Sequence, residues 1–231
     1  MSHGKHLVGT LVLVLGAGAA AGCGEHKSNQ QAVTSSASVT SSATKAAPVH
    51  YDHYDIAKIS AVKNALPQGF AATDIPPDTV SQERLDAPGI GGMTAVAPDV
   101  VAPPQCGVVL KPLGRLGVGA KSQGFIANQD QRMVVVMAAQ SDKPAQAGPD
   151  GCDHVTVTSP DGVSGTVERG PGPAIEGAQT TALTAQTNSG GQSDTMYTAL
   201  IGDRTLVVVQ GEVEPEVAAD LLGKAVAALR G

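Results

Sequence analysis

Tryptophan is absent from this chain, and phenylalanine and tyrosine together make up 2% of its 231 residues. With Tyr51, Tyr54, Phe70, Phe125 and Tyr197 as the aromatics, a folded domain must build its core from Val, Leu, Ile, Met and Ala, each of which buries less surface than an aromatic ring. The shortage also removes the stacking platform that single-stranded nucleic acid requires. Positive charge is scarce too: 15 Lys and Arg stand against 21 Asp and Glu, a formal net charge of −6 with no basic stripe, which excludes a phosphate-backbone partner. No apolar run reaches the roughly 20 residues of a membrane-spanning helix. Cysteine occurs three times, too rarely for a disulfide scaffold and in an odd number.

What is present begins with an address. Ser2-His3-Gly4-Lys5-His6 is a short polar stretch with one lysine, and the apolar run Leu7–Ala20 that follows has 14 residues. These are the n-region and h-region of a secretory signal. Ala20-Ala21-Gly22-Cys23 then resembles a lipobox, with alanine at the position where Leu or Val is commoner. This reading predicts removal of residues 1–22 and lipid on Cys23. The alternative is an ordinary signal that happens to end beside a cysteine, and it leaves an unpaired thiol in an oxidising compartment. Lipidation of Cys23 leaves Cys106 and Cys152 to pair. Two acyl chains, each buried CH₂ contributing about 0.8 kcal/mol, make the anchor effectively permanent.

From Gly24 to His50 the chain is Ser, Thr, Ala and Gln with Val33, Val39 and Val49 as its larger apolar residues. Such a stretch cannot offset its ordering entropy by burial. Residues 23–50 therefore read as a lipidated tether that holds the domain on the order of 30 Å from the membrane. Its hydroxyl-rich run Thr34–Ser42 suits O-glycosylation or a plain polar spacer equally. Ser42-Ala43-Thr44-Lys45 matches S-x-x-K but lacks the packed helix and the S-D-N and K-T-G partners that this chemistry needs.

Residues 51–231 are the size of one domain. Ile56, Ile59, Val62 and Leu66 predict a helix from Asp55 to Leu66, stopped by Pro67-Gln68-Gly69. Ile75-Pro76-Pro77 to Pro98 reads as loop, and Pro103-Pro104 precedes a short helical segment that ends at Pro112. Three hairpins follow: Gly124–Ala127 with Met133–Ala138, His154–Thr158 with Gly165–Glu168 around Pro160-Asp161-Gly162, and Thr195–Ile201 with Arg204–Gln210 through a two-residue Gly202-Asp203 turn. A final helix spans Pro215–Leu229, with Pro215 near its start, Glu214 and Glu216 at the positive end of its dipole, and Val217, Leu221, Leu222, Val226 and Leu229 in one stripe. The pattern predicts an α+β fold, with an antiparallel sheet of about five to seven strands packed by an N-terminal and a C-terminal helix and stapled by a Cys106–Cys152 disulfide.

Pro103-Pro104-Gln105-Cys106, Gly151-Cys152-Asp153, Gly202-Asp203-Arg204 in the last hairpin and the Ala/Leu/Val-rich C-terminal helix, together with lipobox and tether, resemble mycobacterial lipoproteins that carry a domain of unknown function. More distantly, the domain is similar to the extracellular sensor domains of mycobacterial serine/threonine kinases. Those sensors have two disulfides, whereas this chain can form one. The resemblance implies an α+β domain in the cell envelope and carries over no catalytic residue.

Chemistry-bearing motifs are sparse. Gly162-Val163-Ser164-Gly165-Thr166 fails the G-x-S-x-G pattern at its last position and sits in a predicted hairpin. His50-Tyr51-Asp52-His53-Tyr54-Asp55 has the ligand types for zinc or copper, but it also reads as a solvated junction with Asp52 or Asp55 as N-cap. His154 beside Cys152 and Asp153 invites a Cys-His reading, against which a bridged cysteine is inert. Gly89-Ile90-Gly91-Gly92 and Gly190-Gly191 lack the lysine and the strand-to-helix context of a phosphate cradle. No catalytic residue, metal site or cofactor is assigned. The favoured reading is a non-enzymatic envelope module that binds a protein, a glycan or a small molecule. The alternative is an envelope hydrolase with an active site assembled around His154.

Overall fold

The computed structural model describes residues 54–86, 100–130, 132–158, 164–187 and 193–231. The export signal, Cys23, the tether, His50–His53, the Pro160-Asp161-Gly162 turn and the glycine pairs near 91 and 190 lie outside the described residues. Within them, β1 (Ala71–Thr79), β2 (Val101–Ala102), β3 (Lys121–Gln129), β4 (Arg132–Gln140), β5 (His154–Thr158), β6 (Ser164–Pro171), β7 (Ala178–Thr187), β8 (Asp194–Ile201) and β9 (Thr205–Gly211) form one sheet. Its order is β1-β3-β4-β9-β8-β7-β6-β5-β2, with antiparallel pairing throughout.

The α+β expectation with an antiparallel sheet holds, but nine strands exceed the expected five to seven. The three unforeseen strands carry weak signals. β1 contains Pro76-Pro77, which reads as loop. At a sheet edge, however, a missing N–H costs no ladder bond, and the register shifts between Ile75 and Asp78 to pass the prolines. β7 holds one large apolar residue, Leu183, among Ala, Gln and Thr, and β2 is two residues long.

β4 and β9 are interior strands, third and fourth in the order, and are apolar on both faces, as strands covered from both sides must be. Val134, Val136, Ala138, Val207 and Val209 face the helical layer. There α2 (Pro215–Arg230) supplies Leu221, Leu222, Ala225, Val226 and Leu229, all buried, so the predicted stripe is the one that packs. Val135, Met137, Ala139, Leu206 and Val208 face the other way into a second core, closed by Val80, Leu110, Leu113, Leu116 and the cysteine pair.

The N-terminal helix is a correction. It runs Ile56–Ala65 as a 3₁₀ helix rather than an α-helix. Three residues per turn place Ile56, Ile59, Val62 and Ala65 in one line, and all four pack in the helical layer with Leu66. Asp55 is its N-cap: Ala57 N donates to Asp55 Oδ1 at 3.0 Å. The last hairpin also differs from expectation. Ile201 pairs with Thr205, so Gly202, Asp203 and Arg204 form a three-residue loop. Gly202 (φ 61°) takes the left-handed conformation, and the carbonyls of Asp203 and Arg204 accept from Ala145 N at 2.6 Å and Ser141 N at 3.0 Å.

Candidate functional site

The face of the sheet away from α2 carries the site. On β7, Thr181 and Leu183 are two residues apart and project to the same side. Leu183 lies opposite Arg169 of β6, and Thr181 opposite Thr198 of β8. These four form the floor of a cavity of about 360 Å³. Its walls come from the segment Val101–Arg115 and from Gln146, Ala147 and Gly148, with Leu85 and Asp86 at the end of the short helix α1 (Gln82–Asp86).

Three interactions hold those walls. The 3₁₀ helix Pro104–Leu110 begins with proline at its first positions, where a missing N–H costs nothing. It is tied down by a disulfide from Cys106 to Cys152, with 5.4 Å between the Cα atoms and both residues fully buried. Arg115, at the end of the next 3₁₀ turn (Pro112–Arg115), exchanges two bonds with Gln146: Arg115 Nε donates to the Gln146 carbonyl at 3.0 Å, and Gln146 N donates to the Arg115 carbonyl at 2.8 Å. Lys111 Nζ donates to the carbonyls of Leu85 at 2.9 Å and Asp86 at 3.2 Å, which satisfies the end of α1 with a cation.

The electrostatics of the cavity are one-sided. Burial, and next the neighbouring Arg169 guanidinium, pull the Arg115 pKa below its usual value. Neither arginine side chain forms an ion pair among the described residues. The lining carboxylate, Asp86, is exposed and accepts from Gln82 Nε2 at 2.9 Å. Thr198 is 5% exposed, and its hydroxyl has no hydrogen-bond partner among the described residues. The rest of the lining is apolar side chain, glycine and proline, apart from Thr181 and the bonded Lys111 and Gln146.

The residues singled out from sequence sit elsewhere. His154 is exposed on β5, with Nδ1 3.8 Å from Glu168 Oε1, beyond hydrogen-bonding reach, and does not line the cavity. Asp194 is the carboxyl that burial pushes above the usual range, with Glu212 adding to the rise. It accepts from Gln210 Nε2 at 3.1 Å and does not meet His154. Ser164, Gly165 and Thr166 belong to strand β6, so the Ser164 motif is no nucleophile elbow. The hydrolase reading thus loses its best candidate. Arg115, Arg169 and Thr198 were missed because they come from three separate elements. The one local trace is Lys111-Pro112-Leu113-Gly114-Arg115, two cations within an otherwise apolar stretch.

The sequence of this domain matches, over residues 55–230, the model described as domain of unknown function DUF5642. The chain belongs to the DUF5642 family. That agrees with the expected domain of unknown function. The DUF5642 domain shares its fold with an uncharacterised protein of Mycobacterium smegmatis, the Rv0999 ortholog, at 24% identity and a TM-score of 0.60, covering 79% of this chain and 100% of that one. A second solved structure, the extracellular domain of PknH from Mycobacterium tuberculosis, aligns at 14% identity and a TM-score of 0.42, covering 75% of this chain and 92% of that one. No curated protein matches the chain.

Proposed function

We propose that this DUF5642 chain is a lipid-anchored, extracytoplasmic binding module that takes a small molecule into the cavity between the sheet and the Val101–Arg115 segment. The observation that carries this reading is the cavity itself. Its volume of about 360 Å³ falls within the range of small-molecule sites, and a mostly apolar lining with a few convergent polar groups is how such sites combine affinity with orientation. The disulfide in the cavity wall suits an oxidising compartment, as does the export signal. The chain has no assembled acid, base and nucleophile among the described residues, so binding is the simpler assignment.

The test uses the full lipidated chain in lipid nanodiscs. It is incubated with a cell-envelope extract, re-isolated and denatured, and the released small molecules are identified by mass spectrometry. Gly107→Phe and Gly114→Phe serve as blocked forms, because a Cβ at either glycine of the lining meets no atom within 4 Å and the larger side chain enters open space without backbone strain. At least one compound is expected from the native chain and about tenfold less from the blocked forms. Equal release from all three, or none from the native chain, would refute the cavity as the site.

The anchor has its own test. Cys23→Ala is expected to abolish incorporation of labelled fatty acid and to move the protein from the membrane fraction to the soluble fraction. Continued labelling of that variant would overturn the assignment of Cys23.

A further inference from the structure

We infer that the cavity selects an oxyanion, a carboxylate or phosphate group carried on an apolar body, and that Arg115 and Arg169 are the residues that recognise it. This inference rests on the binding reading above and adds the charge of the ligand.

The first ground is uncompensated charge. Two guanidiniums stand at the rim and floor of one half-buried cavity, close enough to disfavour each other, with no carboxylate paired to either among the described residues. Taking a cation out of water is costly, and a neighbouring cation adds repulsion. An arrangement of this kind is relieved when an anion enters. Three cations elsewhere on the surface do have carboxylate partners: Lys63 pairs with Asp74, Arg84 with Asp78 and Lys224 with Asp220. Lys111, the third cation of the lining, is already engaged by two carbonyls and drops out of the count.

The second ground is geometry of supply. Arg115 is held through Nε by the Gln146 carbonyl, so its fork is positioned while its two terminal nitrogens have no protein partner among the described residues. A planar guanidinium fixed in this way matches the two oxygens of a carboxylate or phosphate. Across the floor, the buried residue Thr198 has a hydroxyl with no hydrogen-bond partner among the described residues. It lies on the same side of β8 as Met196 and Leu200, which belong to the apolar core. A ligand that places its oxyanion at the arginines therefore lays its apolar remainder along Leu183, Val109 and Leu110.

The experiment measures equilibrium dialysis of three labelled probes against the full lipidated chain in nanodiscs, with empty nanodiscs as blank: 4-phenylbutyrate, phenyl phosphate and the neutral 4-phenylbutan-1-ol. At least one anionic probe is expected to bind about tenfold more tightly than the alcohol. Arg115→Gln and Arg169→Gln are each expected to weaken it about tenfold, and Arg169→Gln, which breaks none of the bonds that hold the walls, to leave the alcohol unchanged, which shows that the cavity survives that substitution. Preference between the two anionic probes decides whether the group is a carboxylate or a phosphate. Alcohol binding that equals anion binding, or anion binding that survives both substitutions, would sink the charge assignment and leave the cavity reading standing. If no probe binds and the envelope extract also yields no ligand, the cavity reading falls and this inference with it.

Discussion

Replacing Cys106 and Cys152 together by alanine is expected to lower the unfolding free energy by about 4 kcal/mol. The two residues are 46 apart in sequence, and a cross-link over that span removes loop-closure entropy from the unfolded chain worth about 4 kcal/mol in the chain-entropy model. Little else can compensate. The bond joins the 3₁₀ helix Pro104–Leu110 to the start of the β5 hairpin, and 3₁₀ turns are held by poorer hydrogen bonds than α-helix. Both cysteines are fully buried in the core on the face of the sheet away from α2, so truncation adds a packing loss. For a domain of this size the change corresponds to a fall in Tm on the order of 8–16 °C. Urea titration followed by circular dichroism, on the double variant and on native protein with and without reductant, measures it. A midpoint that does not move would show that the bridge holds nothing that packing does not already hold. Because the bridge fixes the cavity wall, the binding role proposed above predicts that reduction lowers the yield of small molecule recovered from the envelope extract.

Gly124→Ala is expected to cost about 3 kcal/mol or to prevent folding, a large effect for one methyl group. Gly124 lies in β3 opposite Met137, and a Cβ built there sits 2.2 Å from the Val136 carbonyl oxygen and 2.9 Å from Met137 Cα. Both atoms belong to the backbone of β4, which is buried on both faces and cannot retreat without displacing β9. Close approach of two backbones is what only glycine permits. Gly114→Ala is the internal control, since a Cβ there meets nothing within 4 Å. Thermal unfolding of the two variants beside the native chain should separate them clearly. Equal melting temperatures would mean that β3 and β4 can part without penalty.

Elements whose residues repeat with the period of their own backbone were readable in advance. The stripe Leu221, Leu222, Val226 and Leu229 and the proline at the helix start placed α2, and runs such as Met133–Ala138 and Leu206–Val209 placed the central strands. The 3₁₀ helix had its period in plain view, at Ile56, Ile59, Val62 and Ala65, yet a spacing of three is shared with α-helix over two turns and was read that way. β1 and β7 left too faint a signal, because an edge strand needs no apolar face and β7 owes its place to pairing with β6 and β8 rather than to its own composition.

Local pattern by itself thus determined the export signal as an expectation, the paired cysteines, the apolar centre of the sheet and the last helix. Each is written in residues that lie close together or in a count of thiols. Tertiary structure alone decided the strand order, the second core and the cavity. Arg115, Arg169 and Thr198 stand far apart in the chain, and only antiparallel pairing of β6, β7 and β8, with Arg115 held over them by Gln146, brings their charges and hydroxyl to one side of one sheet. Long-range pairing depends on register between distant segments, and no short-range periodicity encodes it.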